Sequence, residues 1–129
     1  MILRKYMSLL GVGAANIDLI LEKTDFNIGE SVNGYFSIVG GTIEQKIRRI
    51  ECDLVLKDRK TKSEHIIESF TMYSTKSIAS TEMNKIPFSF HLPKNIRCSD
   101  ENISYRFKTK MYFQEGVKSE DQDFIRIHG

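Results

Sequence analysis

Ile86-Pro87-Phe88-Ser89-Phe90-His91-Leu92-Pro93 is the stretch on which the fold turns. Ile86, Phe88, Phe90 and Leu92 alternate without a break with Pro87, Ser89 and His91, a period of two that puts every apolar side chain on one face of a strand. Pro87 has no N–H to donate, so the strand should lie at a sheet edge or turn that position away from its neighbour, and Pro93 ends it. The same period recurs on both sides. Ile17, Leu19 and Leu21 alternate with Asp18 and Glu22, and Val32, Gly34, Phe36 and Ile38 share a face after a turn at Asn27, Gly29 and Glu30. Gly40 and Gly41 break that pattern before a long run from Thr42 to Lys57. Its apolar parity switches from Ile43 and Ile47 to Ile50, Cys52, Leu54 and Leu56, which predicts one extra residue near Arg48 as a bulge or bend.

Asp58 to Glu64 reads as a hairpin loop and His65 to Tyr73 as the returning strand. Ser74 to Asn84 is polar and unpatterned, a loop or a loosely held edge. Ile103, Tyr105, Phe107, Met111 and Phe113 line one face of a long half-solvated strand; Glu115 and Gly116 turn the chain, and Phe124, Ile125 and Ile127 make a last short strand. That is an all-β chain of about seven strands with no second convincing helix, and an antiparallel, immunoglobulin-like β-sandwich follows.

Residues 1–13 stand apart. Arg4 and Lys5 precede Leu9, Leu10 and Val12, but Ser8 and two glycines interrupt a run too short for a signal peptide, and no small-x-small cleavage site follows. The segment reads as a short amphipathic helix with Ile2, Leu3, Tyr6 and Leu9 or Leu10 on one face, stopped by Gly11 and Gly13. Residues 14–129 form the single sandwich domain, an adequate length for one self-sufficient core. No stretch approaches the roughly 18 apolar residues of a membrane span. Cys52 and Cys98 show no disulfide framework, so a reducing, cytoplasmic setting is expected.

Catalytic patterns are missing. His65, His91 and His128 are scattered, no G-x-S-x-G elbow occurs, and no glycine loop leads into a phosphate-binding helix. The chain reads as a non-enzyme without cofactor or metal. Nineteen basic and 17 acidic residues leave a net charge of +2, no field for nucleic acid. Two local asymmetries lie under that average. From Ile43 to Lys62 seven basic residues face four acidic ones, and Lys57, Arg59, Lys60 and Lys62 crowd a hairpin tip suited to an acidic protein face or an anionic lipid surface. Glu120, Asp121 and Asp123 form an acidic cluster; oxygens at such positions suit Ca²⁺, but a solvated turn or carboxylates ordering a loop through backbone N–H groups is the expected role.

Five stretches together resemble the bacterial sporulation-control family of arrestin-like proteins. They are Gly11-Val12-Gly13-Ala14-Ala15 with Ile17-Asp18 and Leu21-Glu22-Lys23; Gly29-Glu30-Ser31-Val32-Asn33-Gly34; Gly40-Gly41-Thr42-Ile43-Glu44-Gln45; Ile86 to Pro93; and Asp121-Gln122-Asp123-Phe124-Ile125-Arg126-Ile127. The resemblance implies an arrestin-like sandwich and a regulatory or scaffolding role through protein contact, without catalysis. Gly29, Gly34, Gly40 and Gly41 would then be backbone-shape positions, with Glu30, Pro87 and Pro93 part of the same structural motifs and Asp121 and Asp123 loop-ordering groups. Ile28 replaces a proline usual in the family, and Arg59 to Met83 matches nothing in detail. Family members look like tandem pairs of sandwiches, whereas these 129 residues read as one, without the second domain that the resemblance leads one to expect. The leading expectation is a cytoplasmic regulator of sporulation acting on an unknown protein partner. The alternative is an adaptor at the inner face of the cell membrane, bound through residues 1–13 and the basic hairpin. An exposed sheet edge near Pro87 offers a route to homo-oligomers.

Overall fold

In the computed structural model, which describes residues 13–116 and 118–129, the alternating runs become nine strands. They are β1 (Asn16–Leu21), β2 (Asp25–Asn27), β3 (Ser31–Val39), β4 (Gln45–Asp58), β5 (Ser63–Tyr73), β6 (Ser77–Ile78), β7 (Met83–His91), β8 (Ile103–Phe113) and β9 (Lys118–His128). The protein is all-β, in two sheets. One has three strands in the order β1-β3-β7; the other runs β2-β9-β8-β4-β5, with β6 paired to the start of β4. All pairs are antiparallel except β2, whose three residues run parallel to the end of β9. The expected amphipathic helix at residues 1–13 falls, up to residue 12, outside the described residues.

β7 is the edge strand that Pro87 requires, with Pro87 opposite Tyr35 of β3. The parity switch in β4 is also where the register against β8 slips, between Ile47 and Arg49. A second slip, between Leu54 and Val55, leaves Ile67 of β5 unpaired, a bulge that periodicity does not locate because Ile66 and Ile67 are adjacent isoleucines and either could face inward. Two expectations need correction. Ser74 to Asn84 is not one loop: Ser77 and Ile78 pair with Lys46 and Gln45, Ile78 is buried, and β7 begins at Met83. The last strand is not short but eleven residues long, paired with β8 from Lys118 onward; its first half alternates polar with polar and carries no hydrophobic period to read.

Both sheets turn their apolar rows inward. Phe36, Phe88 and Phe107 are buried and meet edge to face, with ring centroids 5.2 Å apart for Phe36–Phe88 and 5.6 Å for Phe88–Phe107. Phe90 packs on Phe107 at 5.5 Å, and Phe70 of β5 on Phe88 at 6.3 Å, so β5 and β7 flank the same side of the sandwich. Each such pair adds about 0.5–1.5 kcal/mol beyond the area it buries. Tyr105, fully buried, donates its hydroxyl to the Arg97 carbonyl at 2.6 Å, which anchors the loop after Pro93.

Candidate functional site

The first half of β9 carries the densest chemistry. Ser119, Asp121 and Asp123 lie opposite Met111, Thr109 and Phe107 of β8, all buried, so their side chains point into the sandwich toward β1. Glu22 N donates to Asn33 O, which puts the even-numbered residues of β1 in the ladder with β3 and turns the odd-numbered ones outward. Side chains meet them: Ala15 N donates to Gln45 Oε1 at 2.7 Å, Ile17 N to Ser119 Oγ at 3.2 Å, and Leu19 N to Asp121 Oδ2 at 2.8 Å. An edge that would otherwise offer unpaired donors is closed by the side chains of the opposite sheet.

Asp18 reaches round the same edge, and carboxylate oxygens of Asp18, Asp121 and Asp123 lie within 4.8 Å of one another. Three carboxylates that close cannot all ionise freely. Burial, then the Asp121 carboxylate beside it, pushes Asp123 up to about 8; burial and the hydrogen bond to Asp121 also raise Asp18. Burial opposes ionisation of Asp121 as well, but hydrogen bonds from Asp123, the Leu19 N–H and Asp18 outweigh it and hold this carboxyl below its usual range. Asp121 is therefore the anion of the trio and Asp123 its proton donor near neutral pH. Asp123 Oδ2 is buried without a hydrogen-bond partner. The arrangement can share a proton and close an edge. It also gathers oxygens of the kind a cation takes.

Asp121 and Asp123 thus sit in a strand, not in the turn expected, and the backbone that Asp121 orders is that of β1. Glu120 does not join them: it faces the opposite side and pairs with Lys118 at 3.1 Å. Asp18 was missed because nothing in the sequence ties an isolated aspartate of β1 to a strand about a hundred residues later; only the Asp-x-Asp spacing of β9 hinted that two carboxylates share a face.

Lys57, Arg59, Lys60 and Lys62 are all exposed around the β4–β5 hairpin. Asp58 organises the tip by accepting hydrogen bonds from Lys60 N at 2.9 Å and Thr61 N at 3.4 Å, and Lys62 takes a left-handed φ of 55°. The charge there is mixed, with Arg97 3.7 Å from Asp58 and Lys57 opposite Glu64. Glu64 itself is bound by Lys108 at 2.8 Å and by Arg106, which hold its carboxyl down at about 2. The structural motifs are spread over the framework. Gly29 has a φ of +75° in the turn before β3, where Glu30 accepts from Asn27 N at 2.9 Å and pairs with Lys23. A Cβ on Gly34, Gly40 or Gly41 would overlap the backbone carbonyl of Ile20, Ala79 or Gly13 respectively. Pro87 lies on the β7 edge and Pro93 just past its end. Cys52 is buried, and burial pushes its thiol up to about 12, far from a nucleophile at neutral pH.

Among the described residues no helix is long and apolar enough to cross a membrane. Comparison with known proteins supplies the rest. A family model described as SpoOM protein matches residues 3–129. The sporulation-control protein spo0M of Bacillus subtilis is 31% identical over 133 residues, covering 97% of this chain and 52% of that protein. The crystal structure of that Spo0M superposes with a TM-score of 0.81, over 92% of this chain and 51% of the other. An alkylpurine DNA glycosylase, AlkC of Pseudomonas fluorescens, shares the fold alone, at TM-score 0.54 and 14% identity over 93% of this chain and 32% of its own. The chain spans about half the length of the curated relative it matches. With a family model over nearly the whole chain and a relative at 31% identity, this chain belongs to the SpoOM protein family.

Proposed function

We propose that this chain is a non-enzymatic regulatory module of sporulation control that works in the cytoplasm by holding a protein partner. The observation that carries the reading is the match to a sporulation-control protein over 97% of the chain, on a structure with a superposable sandwich. The chemistry of the molecule supports it. Cys52 is buried and its thiol stays protonated, and Asp121, the anion of the aspartate trio, is engaged by the Leu19 N–H of the β1 edge. Of the three histidines, His91 meets Ser31 and His128 meets Asp25 on opposite sheets, and His65 lies apart from both on β5. Deleting the gene in its spore-forming host and counting heat-resistant spores over time tests the role; unchanged timing and yield would overturn it. Tagged chain recovered from sporulating cells and analysed by mass spectrometry names the partner.

A second reading keeps the alternative of a membrane adaptor, favoured by the four exposed basic side chains at one hairpin. Flotation with anionic vesicles separates the two. Binding that salt abolishes, and that Lys60→Glu with Lys62→Glu removes, supports the adaptor; no binding at low salt ends it.

A further inference from the structure

The register of the larger sheet fixes what its outer face carries. Val55 of β4 lies opposite Ile66 of β5 on one side and Arg106 of β8 on the other, and Arg106 lies opposite Phe124 of β9. Ile66, Val55, Arg106 and Phe124 thus form one row across four strands. Leu54, Leu56 and Phe107, the chain neighbours of this row, belong to the core cluster, so the row itself points outward. Ile66 and Phe124 remain 63% and 62% exposed at its two ends. On β5, Ser74 N donates to Arg48 O at 3.1 Å, which turns the backbone groups of Ser69, Thr71 and Tyr73 away from β4 while their side chains stand on the same outer face. The smaller sheet presents Asn33, Ser37 and Ser89 on its outer side, and its exposed apolar pair, Val39 opposite Met83, sits at one end.

Charges on the larger face do not cancel. Its acids are already held: Glu51 by Arg49 at 3.0 Å, Glu64 by Lys108 at 2.8 Å and by Arg106, Glu120 by Lys118 at 3.1 Å, and Asp53 accepts from Ser69 Oγ at 2.7 Å. Lys57, Lys110 and Arg126 make no ion pair among the described residues, so the charge left over is positive. Arg106 also has donor capacity to spare: its Nε has no acceptor, and its guanidinium carbon lies 5.8 Å from the centre of the Phe124 ring. Asp53, Val55, Glu64, Ile66, Lys108 and Lys110 line a hollow of about 280 Å³ beside this row. Apolar contact area and unspent cations therefore lie side by side.

We propose that the outer face of the larger sheet docks an acidic segment of a protein partner that carries apolar residues between its carboxylates. Its apolar side chains cover Ile66 and Phe124, and its carboxylates meet Lys110, Arg126 and Arg106. Ile66 and Phe124 stand three strand spacings apart, about 14 Å, a span that about four residues of extended chain cover. An anionic bilayer is the poorer match, because Glu51, Asp53, Glu64 and Glu120 share the plane with the bases and a flat anionic layer meets both signs at once. The proposal rests on the reading that the chain works by holding a protein, and it supplies the chemistry of what is held.

Fluorescence anisotropy on the 129-residue chain with labelled peptides of about twelve residues tests it. One probe sets Phe and Leu four residues apart among glutamates; a second has lysine at every glutamate; a third has alanine for Phe and Leu. The first should bind at about 10 to 100 μM and the other two at least about tenfold more weakly. Ile66→Ser, Phe124→Ser and Lys110→Gln should each weaken the first probe about three- to tenfold, with Met83→Ser on the smaller sheet leaving it unchanged. Melting curves show that each variant is folded, and the peptide controls on the unaltered chain decide the matter where one is not. No binding of the first probe below about 1 mM, equal binding of the lysine probe, or equal losses in Met83→Ser and Phe124→Ser would each overturn the proposal. So would flotation with phosphatidylserine vesicles that Phe124→Ser abolishes in a chain that binds no peptide, which assigns the face to lipid. None of these readouts involves spores: unchanged spore yield on deletion of the gene leaves them standing, and a face that ignores acidic peptides leaves the sporulation role standing.

Discussion

At one side of the sandwich the outward donors of Ala15, Ile17 and Leu19 end on Gln45, Ser119 and Asp121; at the other, the outward groups of Ser69, Thr71 and Tyr73 end in solvent. The two sides face the same problem, since a sheet must stop somewhere and its last strand has half its backbone unpaired. β9 solves it for β1 with side chains because it belongs to the other sheet and cannot join the ladder itself. That solution requires a carboxylate inside the sandwich, and with it two more close enough to compete for protons. The β5 side avoids that cost and stays available.

The largest effect would come from the shared floor of both sides. Phe88→Ala empties a site that touches Phe36, Phe70, Phe90 and Phe107, and about 3–5 kcal/mol of unfolding free energy should vanish in urea titrations. Phe70→Ala, on the half-exposed rim, should cost clearly less, on the order of 1–2 kcal/mol. Equal losses would mean that the open side is as well packed as the centre.

Next in size is the closed edge. Asp121→Ala leaves the Leu19 N–H without its acceptor and should cost about 1–3 kcal/mol, with hydrogen exchange at Leu19 accelerating more than at Phe36 across the β1–β3 ladder. Uniform acceleration would show that Asp121 supports the whole sandwich and not the edge.

The pH dependence separates the sides by sign. Asp123 titrates at about 8 in the folded chain and near 3.8 unfolded, so the folded state holds the extra proton between those values. Its contribution is complete below the unfolded value and declines as pH rises toward 8. Asp18 is raised too and acts in the same direction. Glu64, held at about 2 by Lys108 and Arg106, works oppositely: its contribution is present above 4.5 and is lost as pH falls toward 2. Asp123→Asn keeps a donor toward Asp121 and removes the titration, so thermal melts should gain on the wild type as pH rises from about 4 to 8 and level off above it, the gain reaching on the order of 1 kcal/mol after solvent screening. A gain at pH 4 instead would reverse the assignment of donor and acceptor.

The two sides were also unequally legible from residue order. The stretch from Ile86 to Pro93 reads as an edge strand because its hydrophobic period is unbroken and Pro87 forbids a central place. The β4 bulge is legible for a similar reason: inward residues must change parity where one residue is extra. β9 is opaque in its first half because its inward residues are polar, chosen to meet backbone donors instead of apolar surface. The same holds for Gln45, buried at the start of β4, whose role is set by Ala15 thirty residues earlier. Periodicity reports burial against apolar neighbours; it is silent where the neighbour is an exposed backbone.

The smallest effect tests that contrast most directly. Thr71→Pro on the free edge deletes an N–H that bonds nothing among the described residues, whereas the same change at Met72 would remove a donor from the β4 ladder. Thr71→Pro should therefore change the unfolding free energy in urea titrations by no more than about 1 kcal/mol. A variant as unstable as a core truncation would mean that the outward face of β5 is engaged by its own chain, and that both sides of the sandwich are closed.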